Sequence, residues 1–235
     1  MHAHGAGVLP PWAHPEGGRG KVYLVGTAQK RNVSGFWLSE AINLYSSFDL
    51  EHWTFEGRIL ANTSISVGLP AAEPPVYRLE RPKLLYNRAT RRYVLYFHLD
   101  SARFLLGMVG VCTASSVAGP YTFVRGYRPD GLRSLDLTLY QEADGHAFLV
   151  RSVDNLRIGI SRLTSDYLNT TAQARGVGLG LRLRGSGFGF RARVSRASPR
   201  VISTRSPRSP RARSRAHLAR RLRSCGATLP AGGTP

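Results

Sequence analysis

The amino-acid sequence predicts an all-β fold across residues 20–171, and three observations carry that prediction. Short runs rich in β-branched and aromatic residues follow one another, with turn-forming residues between them, and this composition favours β-strands. No segment of useful length repeats its apolar residues with the 3.6-residue period of a helix. The third observation, a repeat of the strand pattern, indicates which kind of β fold the strands form.

Nine runs in this region have the character of strands. In chain order they are KVYLVG, INLYSS, KLLYN, RYVLYFHLD, GMVGVCTAS, YTFVRGY, LTLYQ, HAFLVRS and LRIGISRL. Residues 87–91 (NRATR) fit a four- or five-residue hairpin loop, and Asp144-Gly145 is a strong hairpin signal. The run from Tyr93 to Phe97 is apolar at every position, which predicts a strand packed on both faces.

The strand pattern repeats along the chain. KLLYNRATRRYVLYFHLD with VGVCTASSVAGPYTFVRG contains a hairpin, a strand that ends in small hydroxyl residues, a turn and an aromatic strand. LTLYQEADGHAFLVRSVDN with LRIGISRLTSDYLNTT has the same order, and KVYLVG with INLYSSFDLEHWTFEGRIL is an earlier copy. A four-stranded unit that recurs every ~40–50 residues or more is typical of a β-propeller blade. A β-sandwich whose strands look alike is the alternative.

The charge of the chain is unevenly distributed. All 14 Asp and Glu residues lie in the first 172 positions, whereas residues 173–235 contain 15 arginines and no acidic residue. The formal net charge of +19 therefore belongs mainly to the last quarter of the chain, and it does not indicate a nucleic-acid role for the rest. We therefore divide the chain into residues 1–172 and a basic segment, residues 173–235.

The basic segment is dominated by Gly, Ser, Pro, Arg and Ala, which cannot bury enough apolar surface to offset chain entropy. The sequence thus predicts a disordered, low-complexity tail. Two origins remain open for it. It could be an arginine- and serine-rich arm that binds phosphate backbones, or translated non-coding or out-of-frame sequence from a GC-rich genome, because its cations are all arginine and none is lysine.

Other features restrict the class of protein. The two cysteines cannot form a disulfide framework, and neither has a partner at metal-ligand spacing. No apolar stretch approaches the ~20 residues of a membrane span, so we expect no membrane partner. The start MHAHGAGVLPPW lacks the charged and apolar regions of a signal peptide, although three glycosylation sequons, at Asn32, Asn62 and Asn169, hint at a secreted ancestry. The sequence does not predict the oligomeric state.

The stretch RLERPKLLYN places a carboxylate, Glu80, and two cations in front of an apolar run. One interpretation is a solvated strand entrance, with Pro82 preventing an earlier start of the hydrogen-bonded ladder because it has no N–H group. The other interpretation is a carboxylate of a functional site. The stretch alone does not separate the two.

Seven pieces of the sequence form a recognisable set: Ala3-His4-Gly5 with Gly7, LYSSFDLEHWTFEG, LERPKLLYN, YVLYFHLD, SSVAGPYTFVRGYRPDG, SLDLTLYQEADGHAFLV and LTSDYLNTT. Together they resemble glycoside hydrolase family 43, in the branch of the exo-β-1,3-galactanases (galactan 1,3-β-galactosidases). They occur in the family's order over the first ~170 residues, at compatible spacing. The resemblance implies a five-bladed β-propeller, of which this chain carries about three blades as a truncated copy. It also suggests an extracellular or cell-wall protein.

The resemblance also implies the site residues, which lie in the central funnel of the propeller. Glu80 and Asp136 match catalytic carboxylates, and Asp136 is expected to hold the sugar or to tune the pKa of the acid. His4 matches a histidine of the first blade that lines the pocket, and Arg81 and His98 match positions that contact or support the substrate. The expected partner is a polysaccharide or oligosaccharide, with no cofactor and no metal.

The departures from the family pattern concern the same site. Ser134-Leu135-Asp136 stands where the family has Ser-Arg-Asp, and Leu24-Val25-Gly26-Thr27 stands where it has Trp-Tyr-Gly-Glu. The family's general acid is a glutamate that begins the fourth blade, and residues 173–235 contain no glutamate. We therefore expect a weak or inactive hydrolase of β-1,3-galactan. The alternatives are a carbohydrate-binding pseudoenzyme and a nucleic-acid-binding protein that acts through its arginine-rich tail.

Overall fold

The computed structural model describes residues 1–18, 20–31 and 37–177. These residues form three antiparallel sheets of four consecutive strands each. The strands are β1 (His4–Leu9), β2 (Val22–Arg31), β3 (Trp37–Ser47) and β4 (Thr54–Ala61); β5 (Tyr77–Asn87), β6 (Arg92–Ser101), β7 (Met108–Ala114) and β8 (Thr122–Tyr127); and β9 (Leu137–Gln141), β10 (Ala147–Val153), β11 (Arg157–Leu163) and β12 (Thr170–Val177). Single 3-10 turns lie at Pro11–Ala13, Pro15–Gly17, Asn62–Ser64 and Pro129–Gly131. The predicted all-β class is confirmed, and in the described part of the chain no helix is long and apolar enough to span a membrane.

The two predicted hairpins form where the turn residues indicated. In the β5–β6 loop the Asn87 side-chain oxygen accepts the Thr90 N–H at 3.0 Å, which closes the turn. In the β9–β10 loop the Asp144 carboxylate accepts the His146 N–H at 2.9 Å, and Gly145 has a φ of 90°, which side chains disfavour. Local turn chemistry therefore fixes both hairpins.

Two strand boundaries differ from the sequence prediction. β1 precedes the predicted region: its sequence HGAGVL has little strand propensity of its own, and it is held by pairing with β2. β12 continues to Val177, past the predicted boundary at residue 172. The remainder of the predicted tail, residues 178–235, lies outside the described residues, so its disorder stays a prediction.

The second sheet lies between the other two and packs against both. One core cluster joins the first and second sheets and includes Tyr93, Leu95, Phe97 and Leu99 of β6. A second cluster joins the second and third sheets and includes Val94 and Tyr96 of the same strand. The prediction that this strand is buried on both faces is confirmed. Burial of each such side chain contributes about 1.5–3 kcal/mol, so β6 is central to stability.

The strands β1, β5 and β9, which begin the three sheets, lie side by side, since β5 contacts both of the others. A side-chain link reinforces the junction of the first two sheets. The Asn62 amide donates to the carbonyls of Ser39 at 2.7 Å and Tyr77 at 2.6 Å, and its oxygen accepts the Tyr77 N–H at 3.1 Å. The amide of this sequon asparagine thus serves the packing of the sheets.

We expect His14 to make the protein sensitive to acid. The residue is 6 % exposed, and its ring packs against Tyr23. Burial lowers the pKa of His14 below 6.5. As the pH falls, the unfolded chain therefore binds a proton on His14 before the folded protein does. The stability that the neutral His14 contributes above about pH 6.5 is lost as the pH falls through the lower pKa of the folded protein.

The variant His14→Phe should lose less stability than the parent protein between about pH 7.5 and about pH 5. Urea unfolding at the two pH values measures this directly. The quantity compared is the loss of stability of the variant against that of the parent protein. Equal losses would show that His14 ionises as freely in the folded protein as in the unfolded chain.

Candidate active site

The strands β1 and β5 each contain a β-bulge. Between His4 and Gly7, and again between Glu80 and Lys83, the strand has one residue more than its partner. The extra backbone is accommodated by a left-handed conformation, with φ of 61° at Gly5 and 53° at Arg81. A Cβ atom on Gly5 would lie 3.0 Å from Cδ of Arg81, so the two bulges are in close contact.

The bulge in β5 corrects one interpretation of Pro82. We expected Pro82 to prevent an earlier start of the ladder, but β5 begins at Tyr77 and pairs with β6 on both sides of the proline. The missing N–H of Pro82 falls within the bulge, where the ladder is already interrupted. The strand therefore reaches past the proline and holds Glu80 by regular pairing opposite His98.

Glu80 lies between two groups that carry or can carry positive charge. Its Oε1 is 3.8 Å from Nη1 of Arg78, and its Oε2 is 3.6 Å from Nδ1 of His98. The Glu80 side chain is 16 % exposed, so it is largely enclosed but still reaches the surface of a cavity. This placement fits a carboxylate that accepts hydrogen bonds from a bound hydroxyl compound.

Asp136 lies at the entrance to β9 and is held by backbone and side-chain contacts. Its carbonyl accepts the Ser152 N–H at 2.8 Å, which continues the pairing of β9 with β10. Its Oδ1 lies 3.0 Å from Nε of Arg81, and this ion pair raises the pKa of the Arg81 guanidinium. The Arg81 and Asp136 side chains are 39 % and 56 % exposed, so solvent screens their attraction. Their pairing mainly orients Asp136.

Three of the five predicted site residues converge. One side-chain nitrogen or oxygen from each of Glu80, His98 and Asp136 lies within 4.8 Å of the others. These residues line a cavity of about 430 Å³, together with Phe104, Arg133, Leu135, Asp154 and Asn155. Arg81 reaches this group through Asp136.

His4, the remaining predicted residue, is not among the side chains that line the cavity. It is exposed, and its Nδ1 lies 3.2 Å from Nε2 of Gln29 on the neighbouring strand. His4 precedes the β1 bulge as Glu80 precedes the β5 bulge, so the two positions are equivalent in their sheets. The equivalence does not bring the His4 side chain into the cavity.

The three converging residues have a spacing that could hold a cation, but their neighbours oppose one. Arg81 contacts Asp136, and Arg78 contacts Glu80, so both carboxylates already face a guanidinium group. A divalent cation would have to compete with these two positive charges. We interpret the cluster as a network of carboxylates and guanidinium groups, and the prediction of a metal-free site stays a prediction.

Sequence reasoning missed three residues that shape the site. Arg78 contacts Glu80, Phe104 lies with its ring 4.2 Å from the Arg78 guanidinium carbon, and Asp100 accepts a hydrogen bond from His98. In the sequence, Asp100 is marked only by its place at the end of the apolar run RYVLYFHLD. A carboxylate at the end of such a strand is usually expected to be exposed to solvent. The contacts of Arg78 and Phe104 depend on the conformation of the loop after β6, and no short sequence pattern predicts that conformation.

A larger cavity, about 630 Å³, lies at the opposite ends of β1, β5 and β9. Its walls include Leu84, Leu139 and the largely exposed Trp12, and its acidic residues Glu142 and Asp144 belong to the exposed β9–β10 hairpin. It lacks the buried imidazole of His98 that meets Glu80 and Asp136 in the smaller cavity. The smaller cavity is therefore the better candidate for an active site.

No protein-family profile matches the chain, and no curated protein matches it either. Solved structures do match. The exo-β-1,3-galactanase of Phanerochaete chrysosporium with bound β-1,3-galactotriose is 30 % identical, with a TM-score of 0.63 over 77 % of this chain and 39 % of that protein.

Two further structures agree with this match. A family 43 β-1,3-galactosidase solved with galactodeoxynojirimycin is 26 % identical, with a TM-score of 0.63 over 76 % of this chain and 62 % of that one. An exo-β-1,3-galactanase of Clostridium thermocellum is 26 % identical, with a TM-score of 0.59 over 73 % and 36 %. The chain thus spans about two fifths of the length of the two galactanases. In its all-β architecture the chain is similar to the exo-β-1,3-galactanases and to the β-1,3-galactosidases of glycoside hydrolase family 43.

Proposed function

We propose that the cavity around Glu80 binds the terminal galactose of a β-1,3-galactan. In this proposal the three sheets are three consecutive blades of the family's five-bladed β-propeller, and β1, β5 and β9 are their innermost strands. The observation that carries the proposal is the convergence of Glu80, His98 and Asp136 within 4.8 Å, where the beginning of β5 and the entrance to β9 meet the end of β6. The similar galactanase has been solved with galactose and with β-1,3-galactotriose, which supports a galactoside as the ligand.

The separation of the two carboxylates does not match that of an inverting pair. An inverting glycosidase separates its acid and its base by about 6.5–9.5 Å, so that a water molecule fits opposite the leaving group. Glu80 and Asp136 approach within 4.8 Å, and both are in contact with arginine side chains. They are therefore better placed to hold sugar hydroxyls on one side than to act as an inverting pair.

We further propose that this chain hydrolyses galactan weakly or not at all. Hydrolysis requires a protonated group at the leaving oxygen, and residues 173–235 contain no glutamate that could match the general acid expected by resemblance. In this proposal Glu80 and Asp136 bind and orient the sugar, and residues 173–235 supply no glutamate as the proton donor.

We expect the purified chain to bind β-1,3-galactobiose without releasing galactose from β-1,3-galactan. Saturation-transfer NMR or calorimetry measures the binding, and chromatography of the incubated polysaccharide measures free galactose. A β-1,4-linked galactobiose serves as the matched ligand control and should bind more weakly. Steady release of galactose would overturn the proposed loss of catalysis, and failure to bind either disaccharide would overturn the proposed site.

The concentration of 15 arginines in residues 173–235 favours a second candidate function, binding of RNA or DNA. This function predicts an affinity that falls steeply with salt, because cations on the protein displace the counterions of the phosphate backbone. It also predicts that all such binding is lost when residues 178–235 are removed. A shortened chain that binds RNA as tightly as the full chain would exclude this candidate.

A further inference from the structure

Asp100, at the end of β6, is a fully buried carboxylate with four hydrogen-bond donors around it. Its Oδ1 accepts the N–H groups of Ser101 at 2.9 Å and Leu106 at 2.7 Å. Its Oδ2 accepts the Gly107 N–H at 3.0 Å and lies 3.0 Å from Nε2 of His98. The Asp100 residue has 0 % exposure, so it cannot contact a sugar in the cavity and has to act through its neighbours.

The contacts of Asp100 determine which nitrogen of His98 carries the proton. An ionised carboxylate only accepts hydrogen bonds, so Nε2 of His98 has to be the donor in this contact. The other nitrogen, Nδ1, then faces Oε2 of Glu80 at 3.6 Å and has no closer partner among the described residues. Asp100, His98 and Glu80 thus form a chain that runs from the protein interior to the cavity.

The same carboxylate closes the loop that forms one wall of the cavity. By accepting the amides of Ser101, Leu106 and Gly107, Asp100 joins both ends of residues 101–107. Phe104 lies in this loop with a left-handed φ of 60°, and its ring stacks on His98 at a centroid distance of 6.2 Å. A single buried group therefore fixes both the imidazole and the aromatic side chain above it.

We propose that Asp100 is a positioning residue of the sugar-binding site: it fixes Nε2 of His98 as a donor, so that protonation of the ring places an Nδ1–H group against Oε2 of Glu80. This inference rests on the proposed function for its sugar-binding part, whereas its effect on His98 can be tested without any ligand. It assigns to Asp100 a role that none of the sequence motifs indicated.

The charges around His98 are consistent with this role. Glu80 and Arg78 face it from β5, Asp100 from its own strand and Asp136 from the entrance to β9; its neighbour on β7, Val109, carries no charge. Burial disfavours the imidazolium ion, but the contacts with Asp100 and Glu80 outweigh burial and raise the pKa of His98 above 6.5. Hydrogen bonds from His98 and the Leu106 amide likewise outweigh burial and lower the pKa of Asp100.

The first measurement is nitrogen-15 NMR of the histidine rings in the full chain, with the His98 signals assigned by their disappearance in His98→Gln. We expect Nε2–H and a pKa above 6.5 for His98 in the parent protein. A His98 ring protonated at Nδ1 alone at neutral pH, or one that titrates below 6.5, would overturn the proposal. This measurement needs no Asp100 variant and remains decisive if such a variant does not fold.

The second measurement compares Asp100→Asn with Asp130→Asn. Asp130 also binds a cation, Arg151 at 2.8 Å, but lies outside the candidate site, so its substitution is the matched control. We expect Asp100→Asn to lower the pKa of His98 and to weaken β-1,3-galactobiose binding about ten- to a hundredfold, the usual effect of losing a charged hydrogen bond. The control should change neither quantity.

The outcomes separate this proposal from the proposed function. If Asp100→Asn leaves the tautomer and pKa of His98 unchanged, or weakens binding no more than Asp130→Asn does, Asp100 does not position the site. If the parent protein binds no galactobiose, the proposed function fails, and the response of His98 to Asp100→Asn alone decides whether Asp100 controls the imidazole.

Discussion

Glu80→Gln should weaken binding of β-1,3-galactobiose by at least about a hundredfold, because the lost interactions are charge-assisted. The substitution keeps the size of the side chain but removes the negative charge that accepts hydrogen bonds from sugar hydroxyls. It also leaves Arg78 and His98, at 3.8 Å and 3.6 Å from the carboxylate, without their common counter-ion. The affinity is measured by calorimetry or by NMR titration of the disaccharide at neutral pH.

Glu56→Gln provides the matched control for this experiment. Glu56 forms an ion pair with Lys21 at 2.8 Å in the first sheet and does not line the cavity, so its substitution should leave the affinity within about twofold of the parent value. Circular dichroism and the urea midpoint show whether each variant keeps its fold. Full affinity in a folded Glu80→Gln protein would mean that the ligand does not contact Glu80.

The parts of the fold that the sequence predicted are those with local causes. Alternating and continuous apolar runs predicted β5 to β11, and the Asp144-Gly145 turn predicted the β9–β10 hairpin. The apolar run of β6 predicted a strand buried on two sides, and two core clusters share that strand. β1 escaped this reasoning because its sequence has two glycines and owes its conformation to its neighbours.

The candidate site was predictable to the extent that motifs mark single residues. The motif Glu-Arg-Pro-Lys indicated Glu80, and a motif at the start of the third repeat indicated Asp136, but neither showed that Arg81 would contact Asp136 from another sheet. His4 stands at the equivalent position of the first sheet, yet its side chain turns to Gln29 instead of the cavity. Which side chains meet depends on how the sheets pack, and a local pattern does not contain that information.

Lys83 connects two of the sheets at the bulges of β1 and β5. Its ammonium lies within hydrogen-bonding distance of four carbonyl oxygens: Gly5 at 3.0 Å and Ala6 at 3.2 Å in β1, and Pro82 at 3.2 Å and Arg81 at 3.4 Å in β5. Burial and the nearby Arg81 charge lower the pKa of Lys83 to about 8, so the amine is still protonated at pH 7. The ammonium thus supplies donors to the carbonyls of both bulges, where regular pairing is interrupted.

Lys83→Met should therefore lower the free energy of unfolding by about 2–4 kcal/mol at neutral pH, because it leaves several partly buried carbonyls without a donor. The matched control is Lys21→Met, which removes a more accessible ion pair and should cost less than about 1 kcal/mol. Urea unfolding measures both losses. Lys83→Arg keeps the positive charge and should recover part of the difference, although its planar head group fits four converging carbonyls less well. Equal losses in Lys83→Met and Lys21→Met would show that β1 and β5 hold together without the ammonium. In that case the bulge that presents Glu80 would depend on Pro82 and the backbone of β5 alone.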